Sequence, residues 1–294
     1  MTTIELPSAT IEFEEFGPAD SPHPPVVFVH GVVVDGRMWT AVAQRLAEDG
    51  FRCLVPTLPL GAHRIPWGPA ADRSPRGAAH IVAEFIAELR LNEPTLVGCD
   101  TGGAICQFAL DGDPTLAGRV VFTNCDAFEQ FPPQPYPVVF ALLRRPGLTR
   151  RLAGLLQRSR ALRHSPLGFG LLVTDPDPDL SASILDPLRT DERVRDDLAA
   201  FLRAIDKREL AALTARLAAV TVPVSVVWGT ADRAFRPPLG RRLAAVFPDA
   251  TFTEVPGART FVAMDRPQAV VAAIVDIGTR GSSANGGPST AAHD

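Results

Sequence analysis

The chain is more constrained by its gaps than by its abundances. It contains one tyrosine, Tyr136, and four cysteines, Cys53, Cys99, Cys106 and Cys125. No two cysteines have metal-ligand spacing, and all lie in or beside apolar runs, which suits small buried residues of a reducing compartment. No apolar run reaches the roughly 18–20 residues that a membrane-spanning helix needs. The start, Met1-Thr2-Thr3-Ile4-Glu5, lacks the basic-then-apolar pattern of a signal peptide, so a cytoplasmic location is expected. With 29 basic and 33 acidic residues, net charge is −4 and no basic patch stands out. Nucleic acid is therefore an unexpected partner. Between His164 and His293 there is no histidine at all.

What is present reads as one large α/β unit. The 294 residues, 46% hydrophobic, suffice for a single large core with a modest inserted lobe. Pro25–His30, Phe51–Leu58, Thr95–Gly98 and Val120–Phe122 are short apolar runs, as expected of strands buried on both faces. Helical patterns separate them: Trp39–Glu48, a segment opening at Ser74-Pro75 with Ile81, Phe85, Ile86 and Leu89 on one face, and a small-residue helix from Gly102. Alternation of this kind predicts a mostly parallel sheet with helices on both faces. From Phe131 to about Val220 little reads as strand, and Arg144, Arg145, Arg150, Arg151, Arg158, Arg160 and Arg163 crowd its first half. Such patterning reads as a solvated helix face. Strands resume at Val222–Trp228 and Thr251–Val255, with helices near Leu239–Phe247 and Pro267–Ile277. The predicted organisation is a core of residues 1–130 and 216–280, a helical insertion at 131–215 and a flexible tail at 281–294.

Ligands of such sheets bind beyond the C-terminal strand ends. There the chain offers His30-Gly31-Val32-Val33, Gly61-Ala62-His63, Asp100-Thr101, Asn124-Cys125-Asp126 and Thr230-Ala231-Asp232. The run Gly98-Cys99-Asp100-Thr101-Gly102 stands out. A nucleophile on a tight strand-to-helix turn needs small residues two positions to either side, and Gly98 and Gly102 meet that need. The helix N-terminus would keep Asp100 ionised and help hold a developing oxyanion. Cys99, before the nucleophile, should point into the core.

With His30-Gly31, the acidic elbow and Asp232 in this order, the chain resembles the α/β-hydrolase superfamily over nearly all of residues 10–280. The resemblance implies an α/β-hydrolase fold with an inserted helical cap and no cofactor or metal. It makes Asp100 the nucleophile, Thr101 and Val32 the oxyanion N–H donors, and Asp232 the acid that orients a base, with Asp126 as the alternative position. An aspartate nucleophile is similar to the branch of haloalkane dehalogenases and epoxide hydrolases, in which a carboxylate forms an ester that His-activated water cleaves. Here Thr101 and Val32 replace the usual halide donors, only one tyrosine is available, and Thr260 holds the histidine position. In this it resembles an actinobacterial subgroup with an Asp-Thr-Gly-Gly elbow. His63, after a strand end, is the expected substitute base. His30 should support the oxyanion turn, and His164 is a minor candidate. The expected function is hydrolysis of a small apolar organic molecule by a monomer or homodimer with no membrane partner. The alternatives are a lyase, isomerase or cyclase using Asp100 as base or charge stabiliser, and a degenerate ligand-binding protein.

Overall fold

The computed structural model describes residues 1–166 and 168–282. Eight strands form one sheet in the order β1-β2-β4-β3-β5-β6-β7-β8. They are β1 (Thr2–Glu5), β2 (Thr10–Phe16), β3 (Val26–Val29), β4 (Cys53–Thr57), β5 (Thr95–Asp100), β6 (Arg119–Cys125), β7 (Val224–Gly229) and β8 (Ala250–Val255). From β4 to β8 every pairing is parallel, while β1 and β2 add an antiparallel edge. The central strands β3–β7 are buried at every position, which is why they read as unbroken apolar runs rather than alternations. Apolar-run reading does not anticipate β1 and β2. Their signal is the period-two alternation of Ile11 and Phe13 with glutamates, Ile11 and Phe13 being buried.

Helices α1 (Thr40–Glu48), α2 (Pro75–Glu88) and α3 (Thr101–Gly112) fill the first half. The predicted cap at Ser74 is present: its side chain accepts from the Gly77 N–H at 3.2 Å. Between β6 and β7 the regular elements are all helical: α4 (Tyr136–Leu143), α5 (Pro146–Arg158), α6 (Arg160–Arg163), α7 (Pro178–Ser183), α8 (Asp186–Thr190), α9 (Glu192–Ala204) and α10 (Lys207–Arg216), with short 3-10 turns. The chain then returns through α11 (Pro237–Ala244), α12 (Val262–Asp265) and α13 (Pro267–Ser282). Helix α13 extends past the predicted end near Ile277, so Gly281 and Ser282 are helical rather than tail. Leu167 and the rest of the expected tail, His293 included, lie outside the described residues.

Two apolar clusters sandwich the sheet. One gathers α2, α3 and much of the helical insertion, and the other packs α1, α12 and α13 on the opposite face. The crevice at the C-terminal ends of β3, β5 and β6 lies under the insertion.

Candidate active site

Asp100 ends β5 and precedes α3 with φ 53° and ψ −132°, a conformation that an L-residue other than glycine rarely adopts. The β5–β6 register shifts between Gly98 and Asp100, so the strand bulges where the carboxylate leaves the sheet. The flanking glycines are required by contact: a Cβ at Gly98 would lie 2.8 Å from Gly103 Cα, and one at Gly102 would lie 2.2 Å from the Val29 carbonyl oxygen. Gly31 is the third requirement. A Cβ there would fall 2.1 Å from Asp100 Oδ2, so the turn after β3 lies directly against the carboxylate. Val32, next along this turn, lines the same cavity. Val33 follows at φ 56°, held by its N–H to the Leu60 carbonyl at 2.9 Å.

That cavity has a volume of about 430 Å³. Its floor carries Asp100 and Asp126, and its walls are mostly aliphatic and aromatic, including Tyr136 and Phe140 of α4, Leu152 and Leu156 of α5, and Leu188. Burial pushes the Asp100 carboxyl up to about 7, against the Thr101 N–H, which favours the anion; the charge of Asp232 pushes it further up. Burial, and then the charge of Asp100, holds Asp126 well above the usual carboxylate range. Two carboxylates in one dry pocket resist ionising together, so at neutral pH they retain a proton between them.

Asp126 is placed by its backbone: its N–H donates to the Asp100 carbonyl at 3.3 Å, and its own carbonyl accepts from Gln107 Nε2 at 2.7 Å. Gln107 in turn accepts from Thr214 at 2.8 Å. No local motif marks Gln107 as a site residue. Thr101 Oγ1 donates to Asp126 Oδ2 at 3.1 Å. The other oxygen, Oδ1, is buried with no hydrogen-bond partner among the described residues, and so is the Tyr136 hydroxyl. Buried polar atoms are nearly always partnered, so two such atoms on one cavity point to a ligand. The tyrosine is held neutral, burial and then the charges of Asp100, Asp232 and Asp126 raising it.

The expected acid and base positions lie elsewhere. Asp232 accepts from Ala234 and Phe235 N–H groups at 2.7 and 3.0 Å on Oδ1. On Oδ2 it accepts from Asn124 Nδ2 and Thr260 Oγ1, both at 2.8 Å. Burial outweighs these four donors and lifts its carboxyl to about 6. Neither Asp232 nor Thr260 is among the residues lining the cavity.

His63, the expected base, is buried outside the cavity lining with both ring nitrogens engaged. Its Nδ1 accepts from the Gly61 N–H at 3.1 Å, which puts the proton on Nε2, 3.3 Å from Asp197 Oδ2. Asp197 also accepts from the Trp67 N–H and from Arg73. The histidine thus ties the loop after β4 to α9 and is not among the residues lining the cavity, which a strand-end position alone does not reveal. His30 is likewise occupied: one ring nitrogen donates to the Gly31 carbonyl and the other accepts from the Leu58 N–H, both at 2.8 Å. Burial lowers it to about 4, so it is a neutral brace for the turn that carries Val32. His164 meets Ser181 at 3.0 Å, within the insertion. Cys99 points inward as expected, its Sγ 3.4 Å from the Thr260 carbonyl. Among the described residues no three His, Cys, Asp or Glu side chains converge as a metal site.

A parallel sheet, a strained acidic elbow and a helical insertion over the strand ends define an α/β-hydrolase. The alpha/beta hydrolase family matches residues 26–273, and the chain belongs to that family. It is 30% identical over 275 residues to proteins named haloalkane dehalogenase 2 from Mycobacterium bovis and Mycobacterium tuberculosis, covering 86% of this chain and 87% of theirs. The fold is similar to the solved haloalkane dehalogenase DbeA from Bradyrhizobium elkani, at TM-score 0.76 and 19% identity over 97% of this chain and 99% of that one. It is also similar to a thermophilic esterase from Thermogutta terrifontis, at TM-score 0.71 and 21% identity over 96% and 99% of the two chains.

Proposed function

We propose that the protein hydrolyses a small apolar molecule through an ester on Asp100, with Asp126 replacing the missing histidine and the helical insertion acting as a cap. The observation that carries this reading is the pair of unpartnered buried atoms, Asp126 Oδ1 and the Tyr136 hydroxyl, on the same cavity as Asp100. Asp100, beside the N-terminus of α3 and the Thr101 N–H, is the group that ionises. Asp126 carries the proton.

In the first step Asp100 attacks an electrophilic carbon, the bond to the leaving atom breaks, and Asp126 gives that atom its proton. In the second, the Asp126 carboxylate takes a proton from water, whose oxygen adds to the Asp100 ester carbonyl. The N–H groups of Thr101 and Val32 hold the resulting oxyanion. Collapse expels the product alkoxide, which ends with a proton as Asp100 returns to its anion and Asp126 to its acid. A neutral acid and a phenol serve a leaving oxygen, which must be protonated, better than a halide, which need not be. The favoured substrate is therefore an apolar epoxide or ester-like electrophile, even though the curated relatives are named as haloalkane dehalogenases.

The test separates the roles. Wild-type protein turning over an alkyl epoxide in heavy-oxygen water should take the label into Asp100. Asp126→Asn, treated with an activated benzylic bromide that needs no proton donor, should accumulate a stable adduct on Asp100, visible by intact mass. Loss of the water-handling group should slow its hydrolysis by roughly 10²–10⁴. Absence of both label and adduct would overturn covalent catalysis. The second reading would then stand: a carboxyl raised to about 7 in a dry pocket is poised as a base for a lyase, isomerase or cyclase.

A further inference from the structure

The helical insertion carries a surface that the reaction does not use. Met1, Val138, Leu142, Leu155 and Leu162 are the large hydrophobic side chains that stand exposed among the described residues. Four of the five fall within 25 positions of one another on α4, α5 and α6, and all four also line the cavity over Asp100. Val138 is 67% exposed and Leu155 52%. The cavity thus opens to the outside among aliphatic side chains.

Charge is segregated on the same elements. From Phe131 to Thr174 the chain has seven arginines and no aspartate or glutamate, although its net charge is −4. Arg145, Arg150, Arg151, Arg158 and Arg160 are exposed. Elsewhere some exposed arginines find carboxylates, as in Arg76–Glu209, Arg193–Asp191, Arg216–Asp111 and Arg242–Glu129, while others, such as Arg90 and Arg233, do not among the described residues; what sets the Phe131–Thr174 stretch apart is the absence of any acid along it. None of the five pairs with a carboxylate among the described residues. A merely solvated face does not call for the removal of every acid over so long a segment.

We infer that this face docks on an anionic lipid bilayer, placing the mouth of the cavity against the hydrocarbon so that an apolar substrate enters from the membrane. Unpaired arginines supply attraction to lipid phosphates, each worth roughly fivefold in binding near an anionic surface. Val138, Leu142, Leu155 and Leu162 supply aliphatic groups with no polar atom to satisfy, which a hydrocarbon phase accepts. An acidic protein surface would match the arginines but leave these four against polar groups. No helix among the described residues is long and apolar enough to cross a membrane, so the contact is peripheral. The expectation of no membrane partner is revised to that extent. The inference stands whichever reaction Asp100 performs.

The full-length protein is sedimented with vesicles of phosphatidylcholine alone and of phosphatidylcholine mixed with phosphatidylglycerol. It should bind the mixed vesicles, weaken steeply with added salt, and bind the neutral ones at least about tenfold more weakly. Arg150→Glu/Arg151→Glu/Arg158→Glu should lose binding by more than about a hundredfold while keeping the wild-type circular dichroism spectrum and melting point, since all three side chains are exposed. In Leu155→Trp, fluorescence from the introduced indole should shift to the blue with mixed vesicles; Trp39, Trp67 and Trp228 are already buried. Failure to bind phosphatidylglycerol vesicles at low salt would overturn the proposal. So would equal binding by the triple variant, or binding to polyglutamate as tight as to vesicles with no blue shift.

Discussion

Asp100→Asn should make the protein more stable while removing its chemistry, and the size of the gain follows from the site. The carboxyl has an ordinary value of 3.8 and is raised to about 7 in the folded state, chiefly by burial. Below pH 3.8 the group is protonated in both folded and unfolded chains, and its titration leaves stability unchanged. As pH rises from there, the unfolded chain ionises first, so the folded state loses ground until about pH 7, where it too ionises. At 1.36 kcal/mol for each pH unit of difference, the loss reaches roughly 4 kcal/mol at pH 7 and above. An asparagine has the same shape, keeps an oxygen to accept from the Thr101 N–H, and carries no charge to desolvate. Urea unfolding of wild type and Asp100→Asn at pH 8 should therefore differ by several kcal/mol in favour of the variant, and the difference should vanish near pH 4. The slope of unfolding free energy against urea should be unchanged, since the exposed surface is the same. A variant no more stable than wild type at pH 8 would refute the premise that the Asp100 carboxyl sits dry and resists its own ionisation.

Activity should rise with pH through an apparent value near 7 as Asp100 ionises, and fall at higher pH as Asp126 loses the proton it donates; a limb at the ordinary carboxylate value in a pH–kcat/KM profile would contradict the dry-pocket geometry. His63→Ala should lower the melting point by the equivalent of about 1–3 kcal/mol, because it strips a buried partner from Asp197. It should reduce kcat by far less than the hundredfold or more that loss of a general base brings, which steady-state kinetics with an alkyl epoxide would show.

Much of the fold and of the elbow is legible in the sequence. The buried strands announce themselves as apolar runs, and Gly98 and Gly102 flank Asp100 because the backbone of α3 and the Val29 carbonyl leave no room for a Cβ. The first contact is local and the second spans 73 positions, but both fall on the small-residue spacing of the elbow, so sequence carries them. The third glycine contact has no such spacing to mark it: Gly31 is 69 positions from Asp100, and only the parallel pairing of β3 with β5 brings them together. The same holds for His63. Its position after a strand end is correct, but its ring direction is set by Asp197, 134 positions away on α9. The arginines of the insertion were visible as a cluster. Their meaning depends on which side of the helices they occupy relative to the cavity mouth, and an aperiodic segment does not state that.

The manner in which Asp232 is saturated bears on any attempt to redesign this site. Its two oxygens already accept from Ala234, Phe235, Asn124 and Thr260, and Thr260 is itself fully enclosed. Replacing Thr260 with histidine would free one acceptor direction on Asp232 Oδ2, but it would set a ring into a closed space that now holds a hydroxyl. Room for that ring would require Asn124 and the turn at Ala234, which hold the same carboxylate, to move as well. Position 260 is thus locked to its neighbours: carboxylate, amide, hydroxyl and turn form one packed unit, and placing a histidine there means redesigning the unit rather than the residue.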